Sequence, residues 1–188
     1  MKPLWTLALA ATLVSPGAVF AQAQLQPPPA SEITFTSRQM GVPVDGRFRT
    51  FNADVAFDPK KPETAKIALT VDLASASLGA PESEAELAKQ PWFDTKKFPQ
   101  ARFVSSSVKP LGGGKFEVTG QLSIKGQPKP VTVPVTLTQA GGTTTATGAF
   151  QIKRLDFKIG EGEWADTSMV ANEVQVKFKL ALTGIAPL

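Results

Sequence analysis

The residues best suited to acid–base chemistry lie together in residues 154–172, RLDFKIGEGEWADTSMVAN. Asp156, Glu161, Glu163 and Asp166 supply carboxylates there, next to the guanidinium of Arg154. Two carboxylates held in register can act as general acid and general base. The chain has no His and no Cys. That removes Ser-His-Asp and Cys-His nucleophilic catalysis and the usual zinc sites, which need imidazole or thiolate. What remains is carboxylate, Lys, Arg, Ser or Thr chemistry, or none. No second segment offers acids of matching spacing, and loop acids more often cap turns or pair with Arg. The same stretch interleaves its charges with Leu155, Phe157, Ile159 and Trp164, which require burial.

A second irregular segment, ELAKQPWFDTKKFPQARF (86–103), carries Trp92, Phe93, Phe98 and Phe103. It ends a connection, 74–99, that is long for a compact domain, and such links are usually functional or disordered. Leu78, Leu87 and the rings argue against disorder. Residues 82–90 (ESEAELAKQ) form the one good helical pattern, with Ser83 and Glu86 spaced as a capping box and Pro91 as the stop.

The elements that must position these links read as strands by period-two alternation. Ile33, Phe35 and Ser37 share a face in the first. In 44–57, Phe51, Ala53, Val55 and Phe57 have one parity and Phe48 the other, which predicts a bulge or bend. Residues 64–73, 115–125, 131–138, 143–153 and 173–183 alternate cleanly, and 100–108 is a weaker strand anchored by Phe103. Pro134 falls mid-strand on the polar face and predicts a bulge or weak pairing there. The links are mostly short and rich in Gly, Pro and Asp, which favours antiparallel neighbours. The predicted fold is all-β: an eight-stranded antiparallel up-and-down barrel, lipocalin-like, with one short helix in a long connection.

Parity places Phe35, Phe51, Val55, Leu69, Phe103, Leu122, Ile124, Phe150 and Phe178 inside the barrel. Small residues share those faces: Ala53, Gly120, Ala146 and Gly148. Such a mixture means either large–small interlock or a cavity, and an eight-stranded barrel is just wide enough for one small ligand. Gly148 is expected to face that space. The aromatic links are expected to bury against one barrel end, as a plug or as a lid lining a mouth. Only a lid requires an adjacent cavity.

At the N-terminus, Lys2 precedes the apolar run LWTLALAATLV (4–14) and small residues at Val19-Phe20-Ala21. This is a secretory signal-peptide pattern, with cleavage expected after Ala21 or Ala23. The run is too short to span a bilayer, which takes about 20 residues. Without Cys there is no site for a lipid-modified N-terminus. QAQLQPPPA (22–30) reads as a Pro-rich extended leader before a barrel over 31–185. The formal net charge is +4. The Lys residues of Val176-Lys177-Phe178-Lys179 alternate with apolar ones, as on the solvated face of a strand, so no nucleic-acid partner is expected.

Four blocks carry a resemblance: SEITFTSRQMGVPVDGRFRTFNADVAFDP (31–59), PWFDTKKFPQARFVSS (91–106), GQLSIKG (120–126) and KRLDFKIG (153–160). Their order and spacing resemble the YceI-like family over nearly all of the chain after the signal pattern. The resemblance implies an exported lipocalin-like barrel whose pore holds a long isoprenoid lipid or isoprenoid quinone. It also implies a homodimer in several members, and transient membrane contact suits such cargo. The pore wall would then take the strand residues above together with Gly148 and, from the links, Leu78, Leu87, Trp92, Phe93, Phe98, Phe157 and Trp164. Many members carry a His where this chain has Gln39, so no role for an ionisable ring transfers. The expectation is a periplasmic binding or carrier protein, not an enzyme, without cofactor. The alternatives are a stress-response or structural barrel without ligand, and an enzyme acting on a bound lipid through 154–172.

Overall fold

The computed structural model describes residues 22–188; the expected signal peptide, 1–21, lies outside the described residues. Among the described residues eleven strands form one antiparallel sheet: β1 (Gln22–Leu25), β2 (Glu32–Gln39), β3 (Val42–Phe48), β4 (Phe51–Ala56), β5 (Lys66–Asp72), β6 (Ala76–Ser77), β7 (Gln100–Gly112), β8 (Lys115–Ile124), β9 (Gln127–Ala140), β10 (Thr143–Lys153) and β11 (Glu173–Thr183). Their order is β1-β4-β5-β7-β8-β9-β10-β11-β2-β3-β6, and β1 also pairs with β11. That last pairing closes the sheet. β1 and β2 both run along β11, β4 and β3 run along them in turn, and β5 and β6 follow along β4 and β3. The eleven pieces are therefore eight staves of an up-and-down barrel, three of them broken, and closure leaves no long free edge.

Each break has a local cause. Pro27, Pro28 and Pro29 cannot donate to a ladder, so the first stave leaves the sheet between Leu25 and Glu32. The excursion is tied at its base to one residue: Gln26 N donates to Ala181 O at 2.7 Å, and Ser31 Oγ accepts from Ala181 N at 2.9 Å. The leader reading of 22–30 is thus corrected. Gln22–Leu25 is part of the barrel seam, and Ala23 is buried. Two apolar residues among Gln and Pro were too short a pattern to read as a strand. The second break falls between Phe48 and Phe51, where the parity switch predicted it, and both rings pack against the core. The third is a 3-10 turn at Leu73–Ser75, capped by Asp72 Oδ1 accepting from Ala74 N at 2.9 Å. A register shift in β7 between Ser105 and Ser107 bends the wall again. Pro134 pairs regularly with Glu117, but pairing of β9 with β10 stops at Val135, one residue earlier.

Helix α1 (Pro81–Leu87) differs from its predicted 82–90. Pro81 starts it, because its fixed φ suits a first helical turn. Ser83 lies inside the helix, so there is no capping box, and Ala80 makes no side-chain cap. The helix stops before Pro91 because the following loop takes its last carbonyls: Phe93 N bonds to Leu87 O at 3.0 Å and Thr95 N to Ala88 O at 3.1 Å.

Three interior glycines each sit under a phenylalanine. Gly46 lies opposite Phe35 on β2–β3, and Gly148 lies opposite Phe178 on β10–β11. Gly120 lies one inward position along β8 from Leu122, the partner of Phe103. A Cβ on Gly46, Gly120 or Gly148 would come within 3.0 Å of the ring carbons of Phe35, Phe103 or Phe178, respectively. The rings fill the space of the missing side chains. This corrects the expectation that Gly148 faces open space: its inward side is covered by Phe178 and approached by Pro134 O, 2.7 Å from the Cβ position. Gly148→Leu is therefore expected to overpack the wall and cost about 1–3 kcal/mol. At Gly46 the three nearest atoms all belong to the Phe35 ring. Gly46→Ala should destabilise by a similar amount alone and by less in a Phe35→Leu background. A double-mutant cycle in urea should give a coupling of about 1 kcal/mol; additive costs would mean that the ring does not set the glycine.

Candidate ligand-binding lumen

In a packed barrel, inward mid-strand residues would be buried. Here Leu69, Phe103, Phe150, Val176 and Phe178 point inward and remain only half-buried. They border a cavity of about 530 Å³ that runs inside the barrel. Its wall is almost all carbon. Among the described residues, Ser37, Gln39, Ser83, Glu86 and Arg154 are the only lining residues with hydroxyl, amide or charged side chains. The lumen meets the surface between the β2–β3 hairpin and α1, since Gln39 and Ser83 are the only exposed residues of its wall among those described. The opposite end is narrowed by Phe57 and Phe116, whose rings meet edge-on at 5.4 Å.

Both long links lie at the mouth end and form part of the wall. Trp92 and Phe93 are each 8 % exposed, and Trp92 stacks obliquely on Trp164 with centroids 5.5 Å apart. Phe93 continues a row of rings through Phe48 to Phe35, at 6.2 and 5.3 Å. The cavity that a lid would require is present. Trp92 and Phe93 also belong to the main core cluster, so truncating them should cost stability as well as wall surface. Trp92 Nε1 is the one buried side-chain nitrogen or oxygen among the described residues with no hydrogen-bond partner.

Most of the candidate residues do line the lumen: Phe35, Val55, Leu69, Phe103, Leu122, Ile124, Phe150 and Phe178 from the staves, and Leu78, Leu87, Trp92, Phe93 and Trp164 from the links. Four do not. Gly148 is covered by Phe178. Phe51 packs against the core at the start of β4, opposite Val71. Phe157 is buried in the core beneath its link, away from the cavity. Phe98 lies against Gly126, with Lys97 Nζ 5.3 Å from its ring centre.

Two cations hold the links, and sequence reasoning missed both roles. Arg154 is 2 % exposed, and all five of its N–H donors are used. Nε donates to Ala171 O (3.0 Å), Nη1 to Ile159 O and Gly160 O (both 2.9 Å), and Nη2 to Trp164 O and Val170 O (both 2.7 Å). One side chain thus folds the whole 154–172 link around itself. Burial pushes its pKa down from the ordinary guanidinium value, yet Arg remains charged in proteins. Lys125, 5 % exposed, joins the two links: Nζ donates to Gln90 O and Lys158 O at 2.7 Å and to Glu161 Oε2 at 2.9 Å. The only legible signal was a Lys at a tight turn before Gly126, where solvent exposure is the ordinary expectation.

The acid cluster has structural work. Glu161 pairs with Lys125, and Asp166 accepts from Ser168 N and Oγ at 2.8 and 2.7 Å, bonds that lower its pKa. None of the four link carboxylates lines the lumen. Among the described residues no cluster of acids is arranged to hold a metal. Lys in place of Arg154 would offer three donors to five carbonyls. Arg154→Lys is expected to lower stability by about 3 kcal/mol or more and to raise amide hydrogen exchange across 159–171. Unchanged exchange there would show that the link holds without its guanidinium.

The comparisons agree with this architecture. The family model for the YceI-like domain matches residues 25–182. A UPF0312 protein of Pseudomonas putida is 40% identical over 100 residues, 52% of this chain and 51% of that protein. The matched stretch thus spans about half the length of such curated relatives. BcnA of Burkholderia cenocepacia is 49% identical, with a TM-score of 0.78 over 80% of this chain and 95% of that one. A polyisoprenoid-binding domain from Saccharophagus degradans, implicated in plant cell wall breakdown, shares the fold at 18% identity, with a TM-score of 0.71 over 89% of this chain and 99% of that one. By its matched length and its closed eight-stave barrel, the chain belongs to the YceI-like family.

Proposed function

We propose that the barrel is a binding or carrier protein for a long apolar amphiphile with a small neutral head, the class of isoprenoid lipids and isoprenoid quinones. The observation that carries this reading is the lumen: inward residues of a closed barrel stay half-buried because the space they face is open. Apolar surface brought into such a space contributes about 25 cal/mol per Å², so a long tail can bind with few polar contacts. The polyisoprenoid that the Saccharophagus degradans domain binds is cargo of that kind.

The polar residues of the wall favour one orientation and one head-group class. Arg154 has no donor left for a ligand. Glu86 pairs with Lys89. Ser37, Gln39 and Ser83 stand with Glu86 on the mouth side of the wall, the side of the exposed residues. The tail therefore lies inward and the head at the mouth, where hydroxyl and amide groups can meet a carbonyl or hydroxyl. A phosphate or carboxylate would find no uncommitted cation among the described residues of the wall. Export to a periplasm suits the reading, since an aqueous gap between membranes is where such a lipid needs a carrier. The alternative of catalysis on a bound lipid through 154–172 is disfavoured because its carboxylates stand off the lumen.

Val176→Trp tests the reading, because it places added volume in the open space and not in a packed core. Organic extraction and mass spectrometry of wild type should release a neutral long-chain lipid. The variant should lose most of it while costing less than about 1 kcal/mol in urea. Unchanged lipid with a cost of about 1–3 kcal/mol would mean a packed interior. A prenyl diphosphate should also compete poorly with a prenylated benzoquinone of equal chain length.

A further inference from the structure

The two-residue turn Met40-Gly41 joins β2 to β3, and both residues have left-handed backbone, φ 48° and 81°. Hairpin turns of this kind favour Asn, Asp or Gly in the first position, because a side chain there crowds the backbone. Methionine is an unfavourable choice. Lys125-Gly126 repeats the geometry, φ 49° and 72°, but there the side chain reaches three acceptors inside the protein. The side chain of Met40 is 77 % exposed. A costly backbone position with an outward apolar side chain and no partner inside the protein points to a role outside it.

Met40 does not stand alone. The exposed large apolar residues among those described are Met40, Val42, Val104, Leu111, Met169 and Leu188. Val104, Leu111 and Leu188 are scattered over mid-strand, the far barrel end and the C-terminus. Met40, Val42 and Met169 form one tip: Met40 N donates to Met169 O at 2.8 Å, and Val42 is the strand partner of Gln39. The tip prolongs the lumen wall outwards. Val42 lies on the same strand face as Val44, Met169 precedes Val170, and Met40 follows Gln39; Val44, Val170 and Gln39 all line the lumen. Exposed apolar residues thus adjoin the lumen-lining Gln39, Val44 and Val170 at the hairpin beside the mouth.

We infer that this tip is a membrane-docking surface, through which the lumen loads from and unloads to a lipid bilayer. The inference rests on the reading of the lumen as a lipid site: a cargo with negligible water solubility has to pass between bilayer and barrel without crossing water. A second copy of the chain is the weaker occupant. A specific protein interface buries about 1,200–2,000 Å², and three side chains on a hairpin tip fall short of that. A bilayer needs no shape complementarity. The charges beside the tip are mixed, with Arg38 bonded to Gly41 O and Asp166 near Met169. Docking is therefore apolar and weak, and does not depend on anionic lipid. Weak contact suits a carrier that has to leave again.

The test uses Met40→Asn alone and together with Val42→Thr and Met169→Gln, none of them lumen residues. Phosphatidylcholine vesicles carrying a prenylated benzoquinone serve as donors, and the rate of transfer to the protein is read. The triple variant should slow transfer by about tenfold or more, with little effect of salt. Uptake of the same quinone from detergent micelles should be unchanged. The thermal midpoint of Met40→Asn should hold or rise, because Asn suits the turn. Equal transfer by wild type and variant would overturn the inference. If neither protein takes up the quinone from micelles, the carrier reading fails, and flotation with quinone-free phosphatidylcholine vesicles decides the tip separately. Wild type floating with the vesicles and the variant staying behind supports docking; identical behaviour overturns it. A wild-type dimer that becomes monomeric in the variant, with flotation unaltered, assigns the tip to a second copy instead.

Discussion

The structure depends on a barrel wall that does not fill its own centre. Eight staves enclose a volume that large inward side chains could close. Three of the largest, Phe35, Phe103 and Phe178, instead occupy the space over Gly46, Gly120 and Gly148. Each pair removes a side chain from one stave and lays a ring from its neighbour in the vacancy. The wall becomes thicker and better packed, and the axis stays open. The glycines thus shape the lumen wall although none of them lines the lumen.

An open centre removes core contacts from the middle of the molecule, so the ends must supply them. At the far end Phe57 and Phe116 pack with Val108 and Val118 in a small separate cluster. At the mouth end the two long links carry Trp92, Phe93, Phe157 and Trp164 into the main core. Irregular backbone cannot satisfy its own carbonyls, and buried carbonyls need donors. Arg154 and Lys125 provide them, eight bonds from two side chains, seven of them to backbone oxygen. Their commitment to the scaffold also leaves no uncommitted cation among the described residues of the lumen wall.

Strand alternation was sufficient to read the barrel, the break after Phe48 and most of the lumen wall, because period-two parity alone decides which side faces in. It failed where tertiary contact decides. Gln22–Leu25 has only Ala23 and Leu25 as signal, and its strand exists because β4 and β11 both lack a partner there. Gly148 has the correct parity, but parity cannot show that a neighbouring ring covers it. Phe98 and Phe157 were grouped with Trp92 by composition, while burial outside the lumen depends on how each link folds. Arg154 was legible as a charge among acids; that all its partners are carbonyls was not, since no pattern of residue types encodes backbone acceptors.

The central claim is that the lumen is built to be occupied by a neutral lipid. Native mass spectrometry of the protein purified from the cells and compartment that produce it tests this most directly. The expected spectrum shows the chain carrying one long apolar molecule, released as a neutral species on collisional activation. A protein of fully apo mass, as stable in urea as one loaded with lipid in vitro, would contradict it and leave the lumen as a structural void.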